Sequence, residues 1–171
     1  MSDDFIVIDK AIGSVIEIEE YVSVWRMPTI FGRNFKTIAD YIEKNDAEVV
    51  DMPYGFYKDM DWEVEVNRSK LSLLLSLFTK KWHFFVGMVS SKELPGSGDL
   101  KGEKKDNQKF VQAIHLGPYQ SSSETYKKLF DWSKANKISL KNESYEFYAN
   151  DPNEVDKKDI KTIIYIPVKD L

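Results

Sequence analysis

The run Tyr145, Glu146, Phe147, Tyr148 sets one carboxylate among three aromatic rings. In a strand, side chains alternate between faces with a period of two, so Glu146 and Tyr148 share one face and Tyr145 and Phe147 the other. A helix packed on the apolar Tyr145/Phe147 face is expected to leave Glu146 and Tyr148 facing away from it. A carboxylate ringed by aromatic side chains suits a cationic or aromatic ligand. It supplies charge, and each ring face adds about 0.5–2 kcal/mol of cation–π attraction, depending on desolvation. Burial of the same group raises its pKa and fits it for general acid or base work. The alternative is an exposed Glu on a solvated sheet face.

Other residues extend this set. In the last apolar run, Ile164, Ile166 and Val168 suit the core, which puts Tyr165 on the opposite side with Ile163 and Pro167. Tyr57, Tyr148 and Tyr165 are therefore wall candidates by strand parity. Tyr119 follows Gly117 and Pro118 and is either a wall and hydrogen-bond donor or a staple on the next helix. Trp25, Trp82 and Phe85 are read either as further walls or as ordinary core. His115 is read as a hydrogen-bonded structural residue.

Several chemistries have no residues to support them. There is no Cys, and the two His stand outside any cluster with metal-ligand spacing, so no metal site is expected. Gly96 and Gly98 lie in a polar stretch without the pattern of a phosphate loop, and no Gly-x-Ser-x-Gly elbow occurs. No cofactor is expected.

The elements that must position these residues come twice. Tyr54, Gly55, Phe56, Tyr57 match Tyr145, Glu146, Phe147, Tyr148, and at the same offset Phe35, Ile38 and Tyr41 match Tyr126, Leu129 and Trp132. With a one-residue slip, the segment 25–28 lies against 115–118. Each copy reads as strand, Pro-containing turn, amphipathic helix, strand, strand. The second copy is predicted as a strand over 110–116, a helix opened by a Ser121/Glu124 capping box and ended near Asn136, and strands over 145–149 and 162–168. The first copy is predicted as a strand over 15–27, a helix over 31–44, and strands over 54–58 and 82–90. It also carries an insertion at 69–80, rich in Leu, read as an extra helix apolar on nearly all sides. The polar stretch 94–109, with Pro95 and three glycines, reads as a linker between modules 15–93 and 110–171 of one domain, 1–171.

The repeat sharpens the site. Gly55 stands where Glu146 stands, and Gly87 where Tyr165 stands. One half then offers space and the other a carboxylate and a phenol, an asymmetry suited to an asymmetric ligand. The alternative is that both glycines serve a bulge or twist.

The net charge of −4, a pI near 5.3 and scattered lysines argue against a nucleic-acid-binding face. The acidic N-terminus lacks a signal-peptide pattern, and no apolar run approaches the ~20 residues that span a bilayer, so a cytoplasmic protein without membrane partners is expected.

The ordered set His115 to Tyr119, Thr125, Tyr126, Leu129, Trp132, Tyr145 to Tyr148, Asp151, Pro152 and 162–168 resembles the signature of the GyrI-like small-molecule-binding domain family. Val86 to Val89 with Leu94, Pro95 and Gly96 is similar to that family's mid-domain pattern. The resemblance implies an α+β fold: tandem strand-helix-strand-strand modules with pseudo-twofold symmetry, and a curved antiparallel sheet with helices on one face. It implies a ligand cleft between the modules on the other face, with the family's pocket carboxylate at the position of Glu146. The family includes effector-binding domains of multidrug-responsive regulators, DNA gyrase inhibitors and free-standing members, some of which hydrolyse cyclopropane-bearing genotoxins. Three functions follow as expectations. They are non-catalytic binding of amphipathic aromatic or cationic molecules, hydrolysis of electrophilic genotoxins with Glu146 activating water, and a protein-interaction module with a protein partner. The length leaves no room for a helix-turn-helix domain, so direct nucleic-acid binding is not expected.

Overall fold

The computed structural model describes residues 5–61, 64 and 81–169. The apolar insertion predicted at 69–80 lies outside the described residues. The described residues form seven strands: β1 Ile6–Ser23, β2 Tyr54–Tyr57, β3 Lys81–Val89, β4 Gly96–Ser97, β5 Leu100–Leu116, β6 Ser144–Tyr148 and β7 Lys161–Pro167. Among the described residues two long helices join them, α1 Met27–Lys44 and α2 Ser122–Ala135. The fold is α+β, with one antiparallel sheet in the order β1-β3-β2-β6-β7-β5-β4. Among the described residues, no helix is long and apolar enough to cross a membrane.

The sheet curls until its ends meet. β1 pairs with β3 through Val15–Ser23 and also with β5 from Ile6 to Ile18. These added pairings link the strands into a ring that encloses an aromatic core of Tyr54, Phe56, Phe85, Phe110, Tyr145, Phe147 and Tyr165. The helices cover the outside. In α1, Ile30, Asn34, Ile38 and Ile42 recur every fourth residue and are buried, against Ile16, Ile18, Phe84 and Val86. In α2, Tyr126 and Leu129 pack on Val111, Ala113, Ile164 and Ile166. Because α1 rests on β1 and β3 and α2 on β5, the central strands β2 and β6 lie between the two helices.

Three readings of the sequence are corrected here. Residues 94–109 are no linker: Gly96–Ser97 and Leu100–Leu116 are strands, and β1 begins at Ile6 because it pairs with this segment. Most of residues 101–109 are exposed, with Lys105 the inward exception, so apolar alternation, the usual mark of a strand, is missing there. The glycines instead shape a tight hairpin. Gly96 and Gly98 have φ of +80° and +60°, and a Cβ on Gly102 would overlap the Leu94 carbonyl oxygen. Second, the Ser121 side chain makes no cap bond; its hydroxyl donates to the Pro118 carbonyl at 2.7 Å.

The third correction concerns faces. The helices do not lie on the Tyr145/Phe147 side. Tyr145 and Phe147 point into the ring of strands, and Glu146 and Tyr148 point toward the helices. The closed sheet buries both faces of β6, so the more apolar face is not the one that meets a helix.

Candidate functional site

Glu146 sits on the helix side of β6, directly opposite Gly55 of β2. The flanking pairs are Tyr54 with Phe147 and Phe56 with Tyr145. The repeat interchanges these two pairs, so the pseudo-twofold axis runs between Gly55 and Glu146. A Glu on both strands would set like charges face to face, which destabilises a sheet. The axis therefore favours a single carboxylate.

α2 and β6 hold that carboxylate by hydrogen bonds. The Tyr126 hydroxyl, from the buried face of α2, donates to Oε1 at 2.6 Å and also meets Ser144 Oγ at 2.8 Å. The Tyr148 hydroxyl reaches Oε2 at 3.5 Å and contacts the Tyr57 hydroxyl, its own repeat counterpart, at 3.3 Å. Around Tyr148 stand Phe31 and Phe35 of α1 and Tyr119 from the turn before α2, with ring centroids at 5.6, 6.2 and 5.6 Å. Burial pushes the Glu146 carboxyl above its ordinary range, against the two phenol hydrogen bonds that lower it. Burial and the Glu146 charge push the phenols of Tyr57, Tyr126 and Tyr148 well above theirs, so all three are held as donors. Among the described residues no cation pairs with Glu146.

Of the residues singled out in sequence, Glu146, Tyr148, Tyr57 and Tyr119 converge. Tyr165 and Phe85 do not: both are buried in the aromatic core on the other side of the sheet, Tyr165 paired with Tyr145. Trp25 is 65% exposed on the short 3-10 turn before α1. His115 is buried, with Nδ1 2.9 Å from the Thr125 hydroxyl and Nε2 3.2 Å from the Pro118 carbonyl, and so ties the end of β5 to α2. Sequence reasoning did not single out Tyr126, which lies on the buried face of α2. The available signal was its repeat counterpart Phe35: a hydroxyl is present in the module that carries the carboxylate and absent in the other. An open depression of about 320 Å³ lies elsewhere, between the end of α2 and residues 138–142, and is lined by none of these aromatic residues.

Residues 76–169 match the model of the GyrI-like small molecule binding domain. The chain belongs to the GyrI-like family. No curated protein matches it. Solved structures share the fold at low identity. The EcmrR C-terminal domain superposes with a TM-score of 0.73 at 16% identity, over 100% of both chains. A hydrolase encoded by lin2189 from Listeria innocua gives 0.68 at 12%, covering 98% of this chain and 92% of that one. SAV2435 bound to tetraphenylphosphonium gives 0.60 at 12%, covering 97% and 94%. The EcmrR chain of an EcmrR–DNA complex superposes with a TM-score of 0.72 at 18% identity, covering 98% of this chain, which spans only 58% of the length of that one.

Proposed function

We propose that this GyrI-like domain binds small molecules that join an aromatic body to a cationic group, in the space between α1 and α2, with Glu146 as the counter-charge. One observation carries the reading. Glu146 is held by two phenols inside an aromatic surround, and no cation among the described residues neutralises it. A carboxylate in such a place is stabilised by any cation that reaches it, and flat rings beside Tyr148 and Phe31 favour an aromatic one. The tetraphenylphosphonium bound by SAV2435 is a molecule of this class and makes a direct probe. Calorimetry with tetraphenylphosphonium is expected to show binding that Glu146→Gln weakens by about 2–5 kcal/mol. Equal affinity in the two proteins removes Glu146 from the reading.

A second reading is hydrolysis, in which Glu146 takes a proton from water and a phenol hydrogen-bonds the departing oxygen or ring. It is favoured by the upward-shifted carboxyl beside phenols that remain protonated. A mass shift of +18 on incubation with a cyclopropane-bearing electrophile is the expected product signature, and its absence with wild-type protein removes this reading.

A further inference from the structure

The two modules put different side chains on either side of the axis, and the difference has a direction. On the second-module side stand Glu146 and the Tyr126 hydroxyl; at the equivalent places on the first-module side stand Gly55 and Phe35. A Cβ on Gly55 would lie 2.9 Å from the Tyr148 hydroxyl and 3.0 Å from Cζ of Phe31. The space that Gly55 leaves is thus filled by the outer ends of two partly exposed side chains.

Gly87 provides the contrast. A Cβ there would lie 2.4 Å from the ring of Tyr54, which is wholly buried and donates to Glu17 at 2.7 Å. That gap is part of the core, and its occupant cannot leave without breaking a buried hydrogen bond. Over Gly55, rotation of Phe31 about its side-chain torsions withdraws one of the two occupants while the backbone stays in place, and the Tyr148 hydroxyl, bonded to Tyr57 and Glu146, stays at the edge of the space. Phe84, stacked on Phe31 at 5.2 Å and 10°, and Phe35, 5.5 Å from it, would then form an aromatic wall.

We infer that the space over Gly55, now filled by Phe31 and the Tyr148 hydroxyl, is the subsite for the flat aromatic body of the ligand, and that it fixes the ligand in one orientation with its cationic end at Glu146. This rests on the binding reading above and adds which half takes which end. Gly55 and Phe31 are then specificity-determining residues: Gly55 sets the depth of the subsite and Phe31 its resting occupant.

The test uses the full chain and two cations, tetramethylammonium and (1-naphthylmethyl)trimethylammonium, measured by calorimetry. Wild-type protein is expected to prefer the naphthyl compound by about tenfold or more, the discrimination a filled apolar pocket provides. Gly55→Ala is expected to remove most of that preference, and Phe31→Ala to enlarge it several-fold. The paired variants guard against a fold defect, because general damage lowers affinity for both cations and cannot shift the preference in opposite directions. Equal wild-type affinity for the two cations overturns the subsite and leaves Glu146 as the anchor. Binding of neither cation overturns the underlying reading and the subsite with it. A preference unchanged in both variants overturns the subsite alone.

Discussion

Two carboxylates are carried on opposite sides of the same sheet, and each receives a hydrogen bond from a tyrosine. Glu17, inside the ring of strands and 3% exposed, accepts from Tyr54 at 2.7 Å and pairs with Lys105 Nζ at 3.3 Å. That ammonium is itself buried, 4.8 Å from the Phe56 ring centroid, and also bonds Glu103. Glu146, between the helices, accepts from Tyr126 and Tyr148 but has no such lysine among the described residues. Inside the strand ring, then, the chain brings together carboxylate, phenol, aromatic rings and cation. Between the helices it brings together the first three. A buried charge is stabilised chiefly by an opposite charge and hydrogen bonds, so the first site is complete as folded, and on the binding reading proposed above a ligand cation completes the second.

The sharpest way to break this comparison is to remove the internal cation. Lys105→Met leaves Glu17 buried without its ammonium and is expected to cost about 3–5 kcal/mol of stability in urea denaturation. A cost below 1 kcal/mol would mean that the ion pair is not what holds the interior together. Glu146→Gln should behave in the opposite way: ligand affinity falls, while folding stability stays within about 1 kcal/mol of wild type or rises, because a charge without a countercharge has been removed from a partly buried place. A large stability loss in this variant would show that Glu146 is structural.

Next comes the phenol that orients the carboxylate. Tyr126→Phe removes a hydrogen bond to a charged acceptor and should lower cation affinity by about 1.5–3 kcal/mol, with the carboxyl pKa moving further up. Carboxyl chemical shifts followed against pH in wild type and variant read this directly.

The smallest effect is the pH dependence of stability. Glu146 titrates above its unfolded range in the native state, so the native protein binds more protons between the unfolded value, about 4.3, and the raised folded one. The contribution of this group to stability is then fully present below the unfolded pKa and declines as pH rises through the folded pKa, by at most about 1.4 kcal/mol per unit of separation. Affinity for a cation changes in the opposite sense, rising as Glu146 ionises across the same interval. Glu146→Gln should flatten both curves; a variant that retains the full pH dependence of cation binding would assign it to another group.

Much of the site was legible because the chain repeats itself. The match of Tyr54, Gly55, Phe56 and Tyr57 to Tyr145, Glu146, Phe147 and Tyr148 identified the two strands that pair across the axis, and it exposed the Gly55/Glu146 asymmetry before any geometry was known. The helix spacing located α1 and α2 to within a few residues, because each buries one stripe of its surface. What misled was strand parity used to choose a face. Alternation told correctly that Glu146 and Tyr148 lie together and that Tyr145 and Phe147 lie together. It could not tell which pair meets the helices, since a sheet closed on itself buries both faces. Tyr165 and Phe85 were grouped with Glu146 for the same reason and lie in the other layer. The polar run 101–109 hid a strand because most of that ribbon faces water.

By itself the sequence determined the periodicities: two copies of one unit, the helix stripes, the alternation of β6, and a single carboxylate where a symmetric pair would repel. These are local properties, set by residues within a few positions of one another or by direct comparison of the copies. Only the tertiary structure decided which surfaces those patterns meet. The long pairing of β1 with β5 closes the sheet, turns one aromatic face into a core that holds Glu17 with Lys105, and leaves Glu146 on the other face between the helices. That choice depends on contacts between residues about a hundred positions apart, such as Asp9 with Lys109, and no pattern within either strand specifies it.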